Sequence, residues 1–203
     1  MQQQEQEQQE QEQRKKTISE LLAINGRSVH GTDKTTTHAY GDLYDTMFEP
    51  YRDTAKRVLE IGIWGGASIF AFAQFFEGAE IDGVDIDLSR ILYGLDQPRI
   101  RYHVADGCSP DTARMLREVG NRRAFDLIVE DASHIPDHQV ATLDAFAPSL
   151  APGGLYVIED IGDVSVRPRL EEVAAKHGLA MTWHDLRGIK GQFDDVLATF
   201  VHV

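Results

Sequence analysis

Residues 57–70 read RVLEIGIWGGASIF, and this stretch decides the fold. Val58, Leu59 and Ile61 make a short β-type apolar run, Gly62, Gly65 and Gly66 break it, and helix-forming residues resume from Ser68. Strand, glycine turn and helix form the opening unit of a parallel α/β sheet. Its turn falls at the carboxyl edge, where glycines let a small ligand approach the backbone closely.

Outward from this unit the alternation continues. Strands are expected at 80–85, 100–105, 125–130, 154–159, about 180–185 and 195–201, and helices over 68–76, 111–119, 136–146 and 167–176. That order predicts an α/β fold, a mostly parallel seven-stranded sheet with helices on both faces. HDLRGIKGQFD joins the last two runs without room for a crossover helix, so the final pair should be antiparallel. Upstream, Ile18, Leu21 and Leu22 recur at helical spacing up to Asn25-Gly26, and Tyr44, Met47, Phe48 and Tyr51 form an aromatic stripe. Three regions follow: a polar Gln/Glu-rich tail over 1–16, an N-terminal helical lid segment over 17–55, and a ligand-binding domain over 56–203. Residues 1–13, MQQQEQEQQEQEQ, have no apolar face to bury.

With 203 residues, 42% of them apolar, the chain can build one domain around a real core. A net charge of −13 argues against a phosphate backbone as partner, so nucleic acid is not expected. Cys108 is the single cysteine and cannot close an intramolecular disulfide. No apolar run is long enough to span a membrane, and the polar N-terminus does not read as a signal peptide. The expected compartment is the cytoplasm.

The acids at the strand ends indicate the ligand. A dinucleotide fingerprint would read G-x-G-x-x-G, but here Ile63 and Trp64 follow the first glycine. Asp85 ends the second strand, where an acid accepts both hydroxyls of a ribose; Asp87 is its rival. Asp106 follows the third strand and can accept from the exocyclic amine of an adenine. The turn brings no cation for a diphosphate. A ribose and an adenine without phosphates fit S-adenosylmethionine (SAM) better than NAD or ATP.

A second constellation is Glu130-Asp131-Ala132-Ser133-His134 together with Glu159-Asp160. If the strands they follow are neighbours, Asp131 and Asp160 face each other about 5 Å apart. Paired carboxylates are tolerated there by sharing a proton or a divalent cation, and hard oxygen donors suit Mg²⁺, with Mn²⁺ or Ca²⁺ as substitutes. His134, in the following loop, is the expected general base. His138 would instead make Asp131, His134 and His138 a transition-metal site, which Asp160 renders unnecessary. Strand alternation turns Glu130 away from Asp131. Asp33, Lys34, His38 and Tyr40 form a dense polar stretch, either a solvated loop or part of the site.

Glu60-x-Gly62 followed by Gly65 resembles the first motif of class I SAM-dependent methyltransferases. TDK-x-x-x-H-x-Y-x-x-x-Y, EIG-x-W-x-G-x-S, D-x-SH-x-x-x-H and GGLYVIED occur in that order over about residues 31 to 200. Together they resemble the metal-dependent sugar O-methyltransferases of macrolide and related antibiotic biosynthesis, whose relatives include proteins labelled cephalosporin-hydroxylase-like. The resemblance implies a Rossmann-like fold and a cofactor site of Glu60, Gly62 and Asp85, to which Ser68 and Asp106 are added. It also implies a TDK segment closing over SAM through Asp33, Lys34 and Tyr40, a metal held by Asp131, Glu159 and Asp160, and His134 as base. The implied acceptor is a hydroxyl of a sugar on a small natural product, with a catechol as the alternative. A non-catalytic SAM-binding domain is a further alternative that His134, Asp131 and Asp160 argue against. The chain departs from the family in carrying Glu130 where Asp is usual. Several members also carry an auxiliary N-terminal domain, which leaves the acceptor pocket and any homo-oligomer open.

Overall fold

Five strands, separated by helices except between the second and third, precede the reversal of the chain: β1 (Arg57–Ile61), β2 (Glu80–Asp85), β3 (Ile100–Val104), β4 (Phe125–Glu130) and β5 (Leu150–Ile158), then β6 (Leu179–Asp185) and β7 (Val196–His202). The structure, a computed structural model, describes residues 14–27, 30–119, 121 and 123–203. The tail expected over 1–16 therefore lies, up to residue 13, outside the described residues. All seven strands join one sheet in the order β3-β2-β1-β4-β5-β7-β6. β1 to β5 pair parallel, and β7 runs antiparallel to both β5 and β6. The expected reversal at the end of the chain is present, with the single turn α7 (Arg187–Lys190) in its connection.

Helices cover both faces. α1 (Ile18–Asn25), α2 (Gly41–Phe48) and α3 (Ala67–Phe75) share a core with Val58, Leu127 and Val129. α4 (Pro110–Val119), α5 (Pro136–Phe146) and α6 (Arg167–Lys176) share the other with Leu59, Ile61 and Ile128. Successive strand residues point to opposite faces, so Glu60 lies on the side of α1 to α3 and Glu130 on the opposite side. α1 is started by a capping box, in which Thr17 accepts from the Glu20 backbone and Glu20 accepts from that of Thr17.

Most boundaries fall within a residue of the reading above, and one differs by more. β5 starts at Leu150 rather than at 154, because Leu150 pairs with Phe125 before Leu155 pairs with Leu127. Ala151 to Gly154 bulge out between these pairs, with Gly153 at φ 75° and its carbonyl accepting from the Tyr51 hydroxyl at 2.9 Å.

Near the amino ends of the strands, Arg57 is fully buried and donates to Asp82 Oδ2 at 2.9 Å and to the carbonyls of Arg123 and Leu116. Asp82 also accepts from Arg101 and pairs with His103. Burial alone would raise its pKa, but the bonds from His103 and Arg101 and the charge of Arg57 hold it down at about 2. A depressed carboxylate stabilises the fold above its unfolded pKa, and that contribution fades as pH falls through the folded value. Asp82→Asn should destabilise the protein by about 3–5 kcal/mol at neutral pH. In urea titrations the gap from wild type should narrow between about pH 4 and pH 2.

Candidate active site

At the carboxyl edge the ends of β1, β2 and β4 are stapled together. Gly62 N donates to Val84 O and Asp131 N to Ile61 O, each at 2.8 Å. Gly62 has φ +83°, and a Cβ there would lie 2.1 Å from the Asp131 carbonyl oxygen. Its missing side chain lets the glycine turn and the acidic loop touch. Gly66 starts α3 at φ +85°, while Gly65 packs against the backbone of His30.

A cleft of two lobes opens over this contact, and Gly62 and Ala132 line both. One lobe, about 250 Å³, is polar and is walled by His30, Asp33, Trp64, Ser68, Asp131, His134 and Asp160. The other, about 350 Å³, is more apolar and runs past Asp85, Ile86, Asp106, Cys108 and Thr142. Among the described residues five non-glycines adopt positive φ, and four of them, His30, Trp64, His134 and Asp160, line the polar lobe. Left-handed backbone is strained for such residues, and strain of this kind gathers at functional sites. Trp64 (φ +43°) stands between Gly62 and Gly66, which share its left-handed conformation. Arg90 lies 4.3 Å above its ring, and His30 tilts against it at 5.9 Å.

Asp85 organises the turn. Its Oδ2 accepts from the backbone of Ile63 at 3.0 Å and Trp64 at 3.2 Å, and it faces the apolar lobe. Asp87 caps Ser89 instead and does not line the cleft. Asp106 borders the apolar lobe and accepts from Cys108 N at 2.9 Å. Glu130 is buried with Oε1 toward Ala132 N, as alternation required. Burial beside Asp131 pushes its pKa up to about 8.

Asp131, His134 and Asp160 converge, with one ligand atom from each within 4.8 Å of the others. His134 Nε2 is 3.9 Å from Asp131 Oδ1 and 3.8 Å from Asp160 Oδ2. His138 does not join them: its Nδ1 bonds Ser133 Oγ at 2.8 Å. Burial and the Asp131 charge push Asp160 up to about 6, which is the signature of an acid cluster short of positive charge.

Four residues expected to touch cofactor or metal lie one layer deeper. Lys34 is buried, and its ammonium donates to Asp131 and Glu159 and sits 3.7 Å from Glu60. Glu159 is thereby turned toward Lys34 and stands outside the Asp131, His134 and Asp160 cluster. Burial lifts Glu60 and Glu159 to about 7 each, with Lys34 opposing the rise. Tyr40, also buried, donates its hydroxyl to Asp160. None of these four side chains is in the lining of either lobe, so they support the cleft from beneath.

His38, in the polar stretch that reads as either a solvated loop or part of the site, is buried. Its ring stacks on Tyr40 at 5.0 Å, and Nδ1 reaches Asp195 at 2.8 Å and Asp160 at 3.6 Å. Burial would lower its pKa, but Asp33, Asp160 and Asp195 push it up to about 9, so it is a cation at neutral pH. Lys190 fastens the same segment by donating to the carbonyls of Thr35, Thr36 and His38. The spacing of Lys34, His38 and Tyr40 was the available signal; nothing local marks Asp195 or Lys190 as their partners.

This strand order, with an acid-lined cleft over a glycine turn, defines a Rossmann-like methyltransferase fold. Residues 59–161 match the family model described as a methyltransferase domain, and the chain belongs to that family. It is 36% identical over 158 residues to the 8-demethyl-8-alpha-L-rhamnosyl tetracenomycin-C 2'-O-methyltransferase of Streptomyces olivaceus, covering 70% of this chain and 40% of that one. It is 38% identical over 133 residues to the mycinamicin VI 2''-O-methyltransferase of Micromonospora griseorubida, covering 61% and 32%. The solved MycE methyltransferase of the mycinamycin pathway, in complex with Mg, SAH and mycinamycin VI, aligns with a TM-score of 0.71 at 26% identity over 93% of this chain and 55% of that one. The chain thus spans well under two thirds of the length of these relatives.

The close contact at Gly62 predicts a shared failure of both halves of the cleft. Gly62→Ala must place a Cβ on the Asp131 carbonyl and hold a left-handed φ, and should destabilise the fold by at least about 2 kcal/mol. Urea titration of the variant beside wild type checks this loss.

Proposed function

We propose that the protein is a SAM-dependent, Mg²⁺-dependent O-methyltransferase acting on a hydroxyl of a sugar carried by a small natural product. The observation that carries this reading is the convergence of Asp131, His134 and Asp160 in the polar lobe, which adjoins the apolar one at Gly62 and Ala132. The curated relatives, all named as O-methyltransferases, two of them on rhamnosyl groups, support it. Among the described residues no helix is long and apolar enough to cross a membrane, and we place the reaction in the cytoplasm.

In this reading Asp85 and Asp106 in the apolar lobe would hold the adenosine part of SAM, and Gly62 and Ser68 in the polar lobe its methionine part. The donor set is two carboxylates with an imidazole beside them, and this fits a hard divalent ion with open positions. Asp131 and Asp160 would hold the Mg²⁺, whose positive charge would lower the pKa of an acceptor hydroxyl. Tyr40 keeps Asp160 aimed by donating to it. His134, 41% exposed in its side chain, faces the lobe and takes the hydroxyl proton at Nε2. SAM, if held along Gly62, Ser68, Asp85 and Asp106, would supply the methyl group, its carbon–sulfur bond breaking as the oxygen–carbon bond forms and S-adenosylhomocysteine leaving. Asp85 and the glycine turn contribute by alignment, which converts a two-body encounter into a positioned one.

Calorimetry tests the donor assignment: S-adenosylhomocysteine should bind and NAD should not, and the reverse would remove it. For the chemistry, methyl transfer to paired sugar-diol and catechol acceptors should favour the diol, stop in EDTA and return with Mg²⁺. His134→Ala should cut turnover by about 10²- to 10⁴-fold while leaving Mn²⁺ binding largely intact. Asp160→Asn removes a charge from the donor set and should shift activity to far higher Mg²⁺. Full turnover in EDTA, or a His134→Ala protein as fast as wild type, would refute the metal-and-base mechanism.

A further inference from the structure

Lys34 is 1% exposed, and its single charge meets three carboxylates. Its ammonium donates to Asp131 Oδ2 and Glu159 Oε2 and lies 3.7 Å from Glu60 Oε1. Those acids stand at the ends of three neighbouring strands, β1, β4 and β5. Both oxygens of Glu60 and Oε1 of Glu159 are buried without a hydrogen-bond partner, so little besides Lys34 compensates them. Asp131 is shared. Its Oδ2 faces Lys34, and its Oδ1 faces His134 on the cleft side. One carboxylate therefore links an internal cation to the candidate divalent site.

We propose that Lys34 is a built-in counter-cation that keeps Glu60, Asp131 and Glu159 assembled whether or not a divalent ion is bound beside them. The inference rests on the divalent site proposed above and gives Lys34 a positioning role beneath it. An ion that binds only the native state stabilises it by mass action. With Lys34 in place, the chain already supplies part of the charge these acids need. Without it, the divalent ion becomes their principal compensation, and stability comes to depend on metal. Lys34 also belongs to the N-terminal segment, so the same ion pairs hold that segment against the sheet edge.

The test is thermal melting of the full chain in EDTA and in saturating Mn²⁺, for wild type, Lys34→Met and Lys34→Met/Glu60→Gln. Methionine keeps much of the apolar stem and removes the charge. In EDTA, Lys34→Met should melt about 10 °C below wild type. Mn²⁺ should raise its Tm by roughly twice the wild-type shift. The double variant loses one cation and one acid together, and should recover roughly half of the EDTA loss. A Lys34→Met chain that folds only with Mn²⁺ is the limit of the same behaviour and supports the proposal. Equal Mn²⁺ shifts in wild type and Lys34→Met would overturn it. So would a double variant less stable than the single one, or variants that fail to fold under either condition. EDTA-sensitive turnover alongside equal shifts would leave the proposed function standing and remove only the counter-cation. Turnover indifferent to EDTA would remove the divalent site itself.

Discussion

The backbone contact between Gly62 and Asp131 is the constraint on which the edge of this sheet depends. Two loops from adjacent parallel strands approach so closely that no side chain fits between them. The loop that presents the glycine turn and the loop that presents the acid are thus one rigid unit, held by the ladder bonds of β1 to β2 and β4. Gly62 consequently lines both lobes of the cleft. A donor bound along the turn and an acceptor held at the acids would be registered by covalent chain and packing rather than by flexible side chains, which is what alignment-driven catalysis requires.

Electrostatics then decides how the N-terminal segment sits. Glu60, Asp131, Glu159 and Asp160 crowd one edge, and burial makes the ionised forms of Glu60, Glu159 and Asp160 unfavourable. The described cations that answer them, Lys34 and His38, both come from the stretch before α2. Packing of that stretch is therefore bound to the charge state of the sheet edge, and Lys190 clamps its carbonyls from the other side. Removing a partner from such a buried set leaves the remaining charges uncompensated, which is more damaging than never having had them.

Strain marks the same place independently. Trp64, His134 and Asp160 hold left-handed backbone on three different loops, a short way past the ends of β1 (Ile61), β4 (Glu130) and β5 (Ile158) respectively. Local preference alone would relax them. The ladder, the Asp85 bonds to the turn and the Tyr40 bond to Asp160 hold them in place.

Element order, sheet type and the reversed last strand were legible in the sequence, because apolar periodicity, glycine turns and short connections act within a few residues of themselves. The acids at the ends of β2, β4 and β5 were legible for the same reason, since a strand end fixes which edge a following residue occupies. Which of those acids face the cleft was not. Glu60 and Glu159 read as contacts, yet tertiary packing turned both toward Lys34, 26 and 125 residues away from it in the chain. His38 found Asp195 across 157 residues, and no local pattern encodes such a partner. Charge pairing in a dry interior is settled by whichever groups the fold brings within a few ångströms, and only the assembled sheet, with the N-terminal segment laid over its edge, determines that distance.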